Sequence, residues 1–438
     1  MSNLAKYLMP FLFAASALSL AHAENVAIVG GDVYTAHDGV VYEGGVVIIS
    51  DDKIAAVGGA DTPIPDGYRV IDASGKWVTP GMMNAYTRIG LEEVSLEPST
   101  LNHSISETFY SAGFDVSYGL NPDTPIIPIT RIEGVTRAVV VPGSGVPFDQ
   151  NPNKSVFAGQ AAVIHLGGGY DLVVKSQAAV VSYPANAKVG GTRTAVLDYL
   201  KGALSEAAQP KGKKKKGDSN SGRRFAKAPE DKAILARVVT GEVPLYINEN
   251  KASNILQLLA LRDEFPGIRL IILGAAEGWI VADELAAANV PVVIAPTNNL
   301  PGRGFDSLGA TLYNAGRLEA AGVTVAIVNG GFSPAHNARL LNQDAGNAVA
   351  HGMSWNGAFE AITINPAKIF GIDEDFGSLE AGKDADVVVW DGDPLEVMSS
   401  PDHVFIMGKE VPLVSRQTRL RDRYMDLDDN EMPFAYKK

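Results

Sequence analysis

The sequence predicts an α/β protein, a (β/α)8 TIM barrel carrying a small composite β-sandwich built from both chain ends. Three observations predict it. Residues 24–80 hold short apolar runs of period-two character and no helical period. Residues 81–375 alternate β-branched runs with amphipathic helical patterns. Residues 376–413 return to strand-like text.

In the first region, "NVAIVGGDVYTA", "YEGGVVIISDDKIAAVG" and "YRVIDASGKWV" are broken by Gly-Gly, Asp-Asp and Asp-Gly turns. In the second, "TRAVVVPG" and "AAVIHLGG" read as strands and "TRTAVLDYLKGALSEAA" as a helix. The strands "VPLYIN", "IRLIILG", "VPVVIAP" and "VTVAIVN" then each precede a helix, the last from "AHNARLLNQDAGNAVAHG". Nearly all-apolar strands alternating with helices are the text of a parallel sheet covered on both faces. The number of consecutive units favours a closed barrel over an open sheet, and no Gly-x-Gly-x-x-Gly follows any strand. "GSLEAGKDADVVVWDGDP" and "HVFIMGKEVPLV" supply the closing strands, and the charged residues 414–438 read as a surface arm.

The flanks bear on location. Lys6, the apolar "YLMPFLFAASALSLA" and an A-x-A end at residues 21–23 make residues 1–23 a signal peptide. Broken by Pro10, the run falls short of the ~20 apolar residues a span needs. Cleavage between Ala23 and Glu24 predicts an exported, periplasmic protein with no transmembrane segment in the mature chain. The basic stretch at 210–228, with "KGKKKKGDSNSGRRFAK", reads as a flexible, solvated loop. With 37 Lys+Arg against 50 Asp+Glu the balance is acidic, which argues against a nucleic-acid partner. The absence of cysteine excludes disulfides, a thiolate nucleophile and Cys-ligated metal.

Two stretches carry a family resemblance: "VIDASGKWVTPGMMNAYTRIGL" and "ITINPAKIFGIDEDFGSLEAGKDADVVVWDGDPL". They resemble the opening and the end of the amidohydrolase superfamily barrel, in the branch of imidazolonepropionases, dihydroorotase-like enzymes and exported dipeptidases. The resemblance implies a barrel whose strand ends hold one or two divalent metals, usually zinc, that activate a water for attack on an amide or ester carbonyl. Imidazoles and carboxylates must converge to hold such a metal.

At the positions that the resemblance assigns to ligands, this chain differs. Asp-Ala-His-x-His is replaced by Asn84, Ala85, Tyr86, Thr87 and Arg88. Asn248 and Gly274 stand at the next two histidine positions, and Asn329 at the catalytic aspartate. Ser182, placed only by Pro184, is nearest to the bridging carboxylate. These residue types predict that the usual metal site is lost and that no cofactor is held. The seven histidines show no H-x-H or H-x-x-x-H spacing, and no G-x-S-x-G elbow signals a serine nucleophile.

What replaces the metal is then the question. Arg88 would bring fixed positive charge, paired with Glu249 or Glu277 or with a ligand carboxylate. Tyr86, Asn248 and Asn329 would add neutral hydrogen-bonding groups. Glu92, Glu93, Glu249 and Glu277 are carboxylates near the mouth that equally suit helix N-termini or a solvated rim. Three function classes follow: a non-catalytic pseudoenzyme pairing with an active homologue or as a homo-oligomer, a small-molecule binder, and a hydrolase of carbon–nitrogen bonds with an atypical or metal-independent site.

Overall fold

The computed structural model describes residues 25–105, 111–143, 155–184, 192–209, 225, 228–299, 305–330 and 334–425. Residues 1–24, where the signal peptide is expected, most of the basic stretch at 210–228 and residues beyond 425 lie outside the described residues.

Both chain ends build one sheet. From the front come β1 (Val26–Tyr34), β2 (Val41–Ser50), β3 (Lys53–Gly58), β4 (Arg69–Asp72) and β5 (Trp77–Pro80). The barrel strands are β6 (Met82–Thr87), β7 (Val135–Val140), β8 (Phe157–His165), β9 (Val173–Ser182), β10 (Leu245–Glu249), β11 (Leu270–Gly274), β12 (Val292–Ile294) and β13 (Val325–Ile327). From the back come β14 (Val387–Trp390), β15 (Pro401–Ile406) and β16 (Lys409–Glu410). The end-built sheet runs β16-β15-β14-β5-β1-β2-β3. Its two halves meet where Val387 on β14 pairs antiparallel with Pro80 on β5. The expected sandwich is thus one hydrogen-bonded path. Strand β1 carries register shifts around Gly31, and it pairs with β4 before them and with β5 after them. A strand that changes partners at a bulge lets one sheet wrap its own core. Val26, Ile28, Val47, Val78, Val387 and Phe405 fill that core.

The barrel sheet holds β13-β12-β11-β10-β9-β8-β7-β6. Its strands alternate faces as the two-residue period requires. Val139, Val181, Tyr246, Ile271, Leu273 and Val293 pack inside. Ile247, Ile272, Val292 and Ile327 face outward, in the cluster that holds Leu258, Leu285, Leu318 and Leu341. Those four belong to the helices α4 (Ala252–Glu264), α5 (Ala282–Ala287), α6 (Asn314–Ala320) and α7 (Leu341–Ala350). The three earlier helices are α1 (Ile126–Arg131), α2 (Arg193–Ala208) and α3 (Pro229–Val239), and α8 (Trp355–Glu360), α9 (Ile364–Phe370) and α10 (Arg416–Met425) follow α7. The ring nearly closes between β13 and β6. Ile327 N donates to Ala361 O (2.9 Å) and Met83 N to Ile362 O (2.7 Å), and Asn84 Nδ2 reaches Asn329 Oδ1 at 3.1 Å.

One expectation needs correction. The barrel is not a run of βα units throughout, because β8 lies antiparallel to both β7 and β9. The cause is readable in the turn: residues 167–169 are all glycine and reverse the chain within seven residues. An antiparallel return needs only a short loop, whereas a parallel one needs a crossover of about a dozen residues.

At the end away from the strand termini, Arg137 on β7 ties barrel to sheet. Its Nε donates to Asp386 Oδ2 at 2.9 Å and its Nη2 to Asp384 Oδ2 at 2.7 Å. Lys53 Nζ adds a bond to Asp384 Oδ1 at 2.6 Å. Arg137 is 1% exposed, and its guanidinium lies over the Phe376 ring.

Candidate functional site

The C-terminal ends of β6, β9, β10, β11 and β13 open on one side, the side where barrel strands carry function. Ser182 ends β9, the fourth strand of the ring, so the position inferred from Pro184 alone is a true strand end. Its hydroxyl is fully buried and donates to Val156 O at 2.8 Å. The next residue, Tyr183, projects into the site. Its hydroxyl donates to Pro142 O (2.8 Å) and lies 3.1 Å from that of Tyr86. Since Tyr183 has one proton to give, Tyr86 is the donor in that second bond. Burial first, then Tyr86, pushes the Tyr183 hydroxyl well above the usual tyrosine range. Nothing in the "SYP" text singled Tyr183 out.

Tyr86 also meets Tyr246 edge-on at 6.5 Å. With Asn248, Asn250, Thr297, Asn314 and Asn329 it lines a cavity of about 460 Å3 at the barrel mouth. No described residue lining that cavity carries a charge. Asn248 Nδ2 donates to Leu273 O at 3.3 Å. Asn329 accepts from Asn84, while its own Nδ2 is buried with no described partner. Behind the wall, Asp344 accepts from Thr297 Oγ1 (2.8 Å) and Gly330 N (3.1 Å), and burial raises its pKa. Sequence spacing gave no sign of Asp344, which arrives from α7.

Gly274 adopts φ +94°, and a Cβ there would lie 2.6 Å from Asn250 Oδ1. A histidine at this position would be strained by the backbone conformation, and the Asn250 side chain would have to move aside.

The carboxylates are placed differently from the expectation. Glu249 accepts from Asn250 N (2.9 Å), Lys251 N (3.0 Å) and Asn254 Nδ2 (3.1 Å), at the start of α4. Glu277 accepts from Ala252 N at 3.1 Å, at the same helix start. Both satisfy orphan N–H groups of that helix, and neither lines the cavity. Burial outweighs those bonds at Glu249, whose pKa is raised. Glu93 accepts from Asn121 Nδ2.

Arg88 accordingly pairs with neither Glu249 nor Glu277. One helical turn beyond β6 brings Glu92 over it, with Leu91 N and Glu92 N both donating to Arg88 O. Arg88 Nη1 then donates to Glu92 Oε2 at 3.2 Å, the local i,i+4 partner being closer than any distant carboxylate. Burial opposes the charge, but Tyr86, Tyr183 and Glu92 outweigh it and raise the Arg88 pKa. Its Nε is buried without a described partner. His103 Nε2 approaches the same Glu92 oxygen at 3.5 Å.

The comparisons with known proteins bear on this geometry. The pattern of the "Amidohydrolase family" matches residues 282–411. An imidazolonepropionase of Mesorhizobium japonicum is 24% identical, covering 81% of this chain and 87% of the relative. Over most of its length the chain is similar to amidohydrolase-superfamily proteins of the imidazolonepropionase-like branch. A solved amidohydrolase from Thermotoga maritima MSB8 superposes with a TM-score of 0.76 at 24% identity, covering 88% of this chain and 99% of the other. "Amidohydrolase tasK" of Hapsidospora irregularis is 28% identical over 84% of this chain, which spans only 39% of that relative's length.

This similarity corrects one expectation, that no cofactor is held: the family it points to implies a divalent metal. An adenosine deaminase from Xanthomonas campestris with this fold was solved with bound zinc (TM-score 0.50, 16% identity, 91% of this chain, 98% of that one). Whether the strand ends fit such an ion is a matter of donors. Tyr86, Arg88, Asn248, Gly274 and Asn329 offer neither imidazole nor carboxylate, and zinc binds chiefly through these or thiolates. Arg88 is a fixed cation beside the place a metal would take. Among the described residues no three His, Asp or Glu side chains converge as a metal-holding group. These donors do not fit a zinc held in the family's usual way.

Proposed function

We propose that this chain is an exported amidohydrolase-superfamily protein whose barrel mouth holds a small, uncharged, hydrogen-bonding molecule, acting as a non-catalytic partner alone or beside an active homologue. The cavity of about 460 Å3 with its neutral Asn, Thr and Tyr lining carries the reading. A lining without charge penalises an ionic ligand, which would give up its hydration without gaining a counter-charge. The buried Asn329 Nδ2 is a donor still to be satisfied, and an amide carbonyl or hydroxyl would satisfy it. Among the described residues no helix is long and apolar enough to cross a membrane, and the A-x-A leader supports export.

Thermal shift of the full chain against uncharged amides, cyclic imides and their charged analogues tests the reading. A rise in Tm with neutral ligands alone, lost in Asn329→Leu, is the expected result. Shifts by charged ligands only would overturn it.

A second reading, hydrolysis of carbon–nitrogen bonds, is favoured by the similarity to amidohydrolases. Metal content and amide turnover of the purified chain separate the two. Stoichiometric zinc with turnover supports the hydrolase, and ligand binding without turnover supports the partner.

A further inference from the structure

Outside the amide-lined cavity, the mouth holds a second cluster of reactive groups. His103 Nδ1 lies 2.6 Å from Ser104 Oγ. On the other side of the ring, His103 Nε2 lies 3.5 Å from Glu92 Oε2, the oxygen that also takes the Arg88 bond. His103 is 1% exposed and Glu92 3%, while Ser104 is half-buried. The carboxylate can only accept, so the ring proton belongs on Nε2 and Nδ1 is left to accept from the serine O–H.

We propose that Ser104, His103 and Glu92 form a serine nucleophile set, for an uncharged ester or amide, that operates without relying on the strand-end positions. The logic is that of any activated serine: a base within hydrogen-bond reach of the hydroxyl, itself oriented by a third group. Burial, then the Arg88 cation, pushes His103 down to about 4, so the ring is neutral at pH 7 and free to accept. Glu92 works against both effects and favours the imidazolium as it forms.

Space is held open for the contact by Gly143. A Cβ there would lie 2.5 Å from both His103 Nδ1 and Ser104 Oγ. Gly143 N donates to His103 O at 2.8 Å and fixes the segment in place.

In the step, Ser104 Oγ bonds to the acyl carbon and its proton passes to His103 Nδ1. The same proton then leaves with the departing amine or alcohol. Water then attacks the acyl-serine, giving one proton to Nδ1; as the bond from the acyl carbon to Oγ breaks, that proton passes to Ser104 Oγ and the acid is released. The inference rests on the second, hydrolase reading and stands against the non-catalytic one.

Its test needs no substrate. The purified full chain is treated with diisopropyl fluorophosphate, which exchanges its P–F bond for a bond to an activated serine oxygen and releases fluoride. Peptide mapping is expected to find one adduct, on Ser104, absent in Ser104→Ala and formed at least ~100-fold more slowly in His103→Gln. Absence of an adduct on Ser104, or an equal rate in a folded His103→Gln, overturns the proposal. Should His103→Gln not fold, Gly143→Ala crowds the same contact, and an unchanged labelling rate there overturns it equally. Amide hydrolysis that survives in Ser104→Ala overturns the serine and leaves the hydrolase reading standing.

Discussion

Two arginines are held by neighbouring barrel strands, Arg137 buried on β7 and Arg88 half-buried just past the end of β6, and their surroundings differ. Arg137, at the sheet end, donates from Nε and Nη2 to Asp384 and Asp386, and Lys53 adds a second cation on Asp384. Arg88, at the mouth, shares Glu92 with His103 and keeps a buried Nε without a described partner. The first is a saturated charge network that fixes geometry. The second is an under-satisfied one, and a buried polar group left incomplete is where a protein holds capacity for a ligand or a reaction.

The comparison breaks most readily at Arg137. Arg137→Met leaves the buried Asp386 without its cation and Asp384 with Lys53 alone, and is expected to lose ~3–5 kcal/mol of stability in urea unfolding. A loss no larger than that of Arg88→Met would erase the distinction between the two sites.

The next effect is pH-dependent. His103 is held at about 4 against an ordinary 6.5, so the unfolded chain takes up its proton first as pH falls. Stability is therefore full above about pH 6.5 and declines toward pH 4, by up to ~3 kcal/mol at ~1.36 kcal/mol per unit. Unfolding free energies at pH 7, 5.5 and 4.5 should show this slope in the wild type and a smaller one in His103→Gln. Equal slopes would place His103 outside the low-pKa environment described.

Arg88→Met sharpens the contrast from the mouth. Removing the cation takes away the second cause of the His103 depression, so the His103 pKa is expected to rise, as read by proton NMR of the ring. No movement would mean that burial alone sets it. The smallest effect is that of Glu277→Gln, which weakens one bond at the start of α4 and should cost about 0.5–1 kcal/mol by thermal unfolding, with the cavity's ligand shifts unchanged.

Much of the frame was legible. Strand-helix alternation located β10 to β13 and their helices, because buried parallel strands are written as apolar runs. The strand-forming chain ends announced their shared sheet. The antiparallel β8 was not legible, since "AAVIHLGG" reads alike in either direction and only the glycine turn sets its sense. At the site, Tyr86, Asn248, Gly274 and Asn329 could be placed by motif position. Glu249 and Glu277 sat at the start of a helix, and the N-terminal reading of them describes their hydrogen bonds. Glu92, the partner of Arg88, lies four residues on, and only the turn after β6 selects it over the distant carboxylates. His103 and Ser104 were missed because no fixed spacing marks a cluster assembled by a loop against the end of β7. Tyr183 was missed for a related reason: its neighbour Ser182 held the motif position.

The barrel's closing seam carries a kinetic consequence. The β8–β9 hairpin joins residues close in sequence, whereas the Asn84–Asn329 bond joins residues 245 apart. Contacts that close large loops form after local ones, because their entropy must be met before they stabilise anything. The seam is then expected to be the last part of the ring to assemble and the first to part. Asn84→Ala should accelerate unfolding while leaving refolding nearly unchanged in stopped-flow traces. Asn329, the residue that contributes both to this latch and to the cavity wall, would make ligand occupancy a brake on opening: a molecule bound at the mouth lengthens the lifetime of the closed ring.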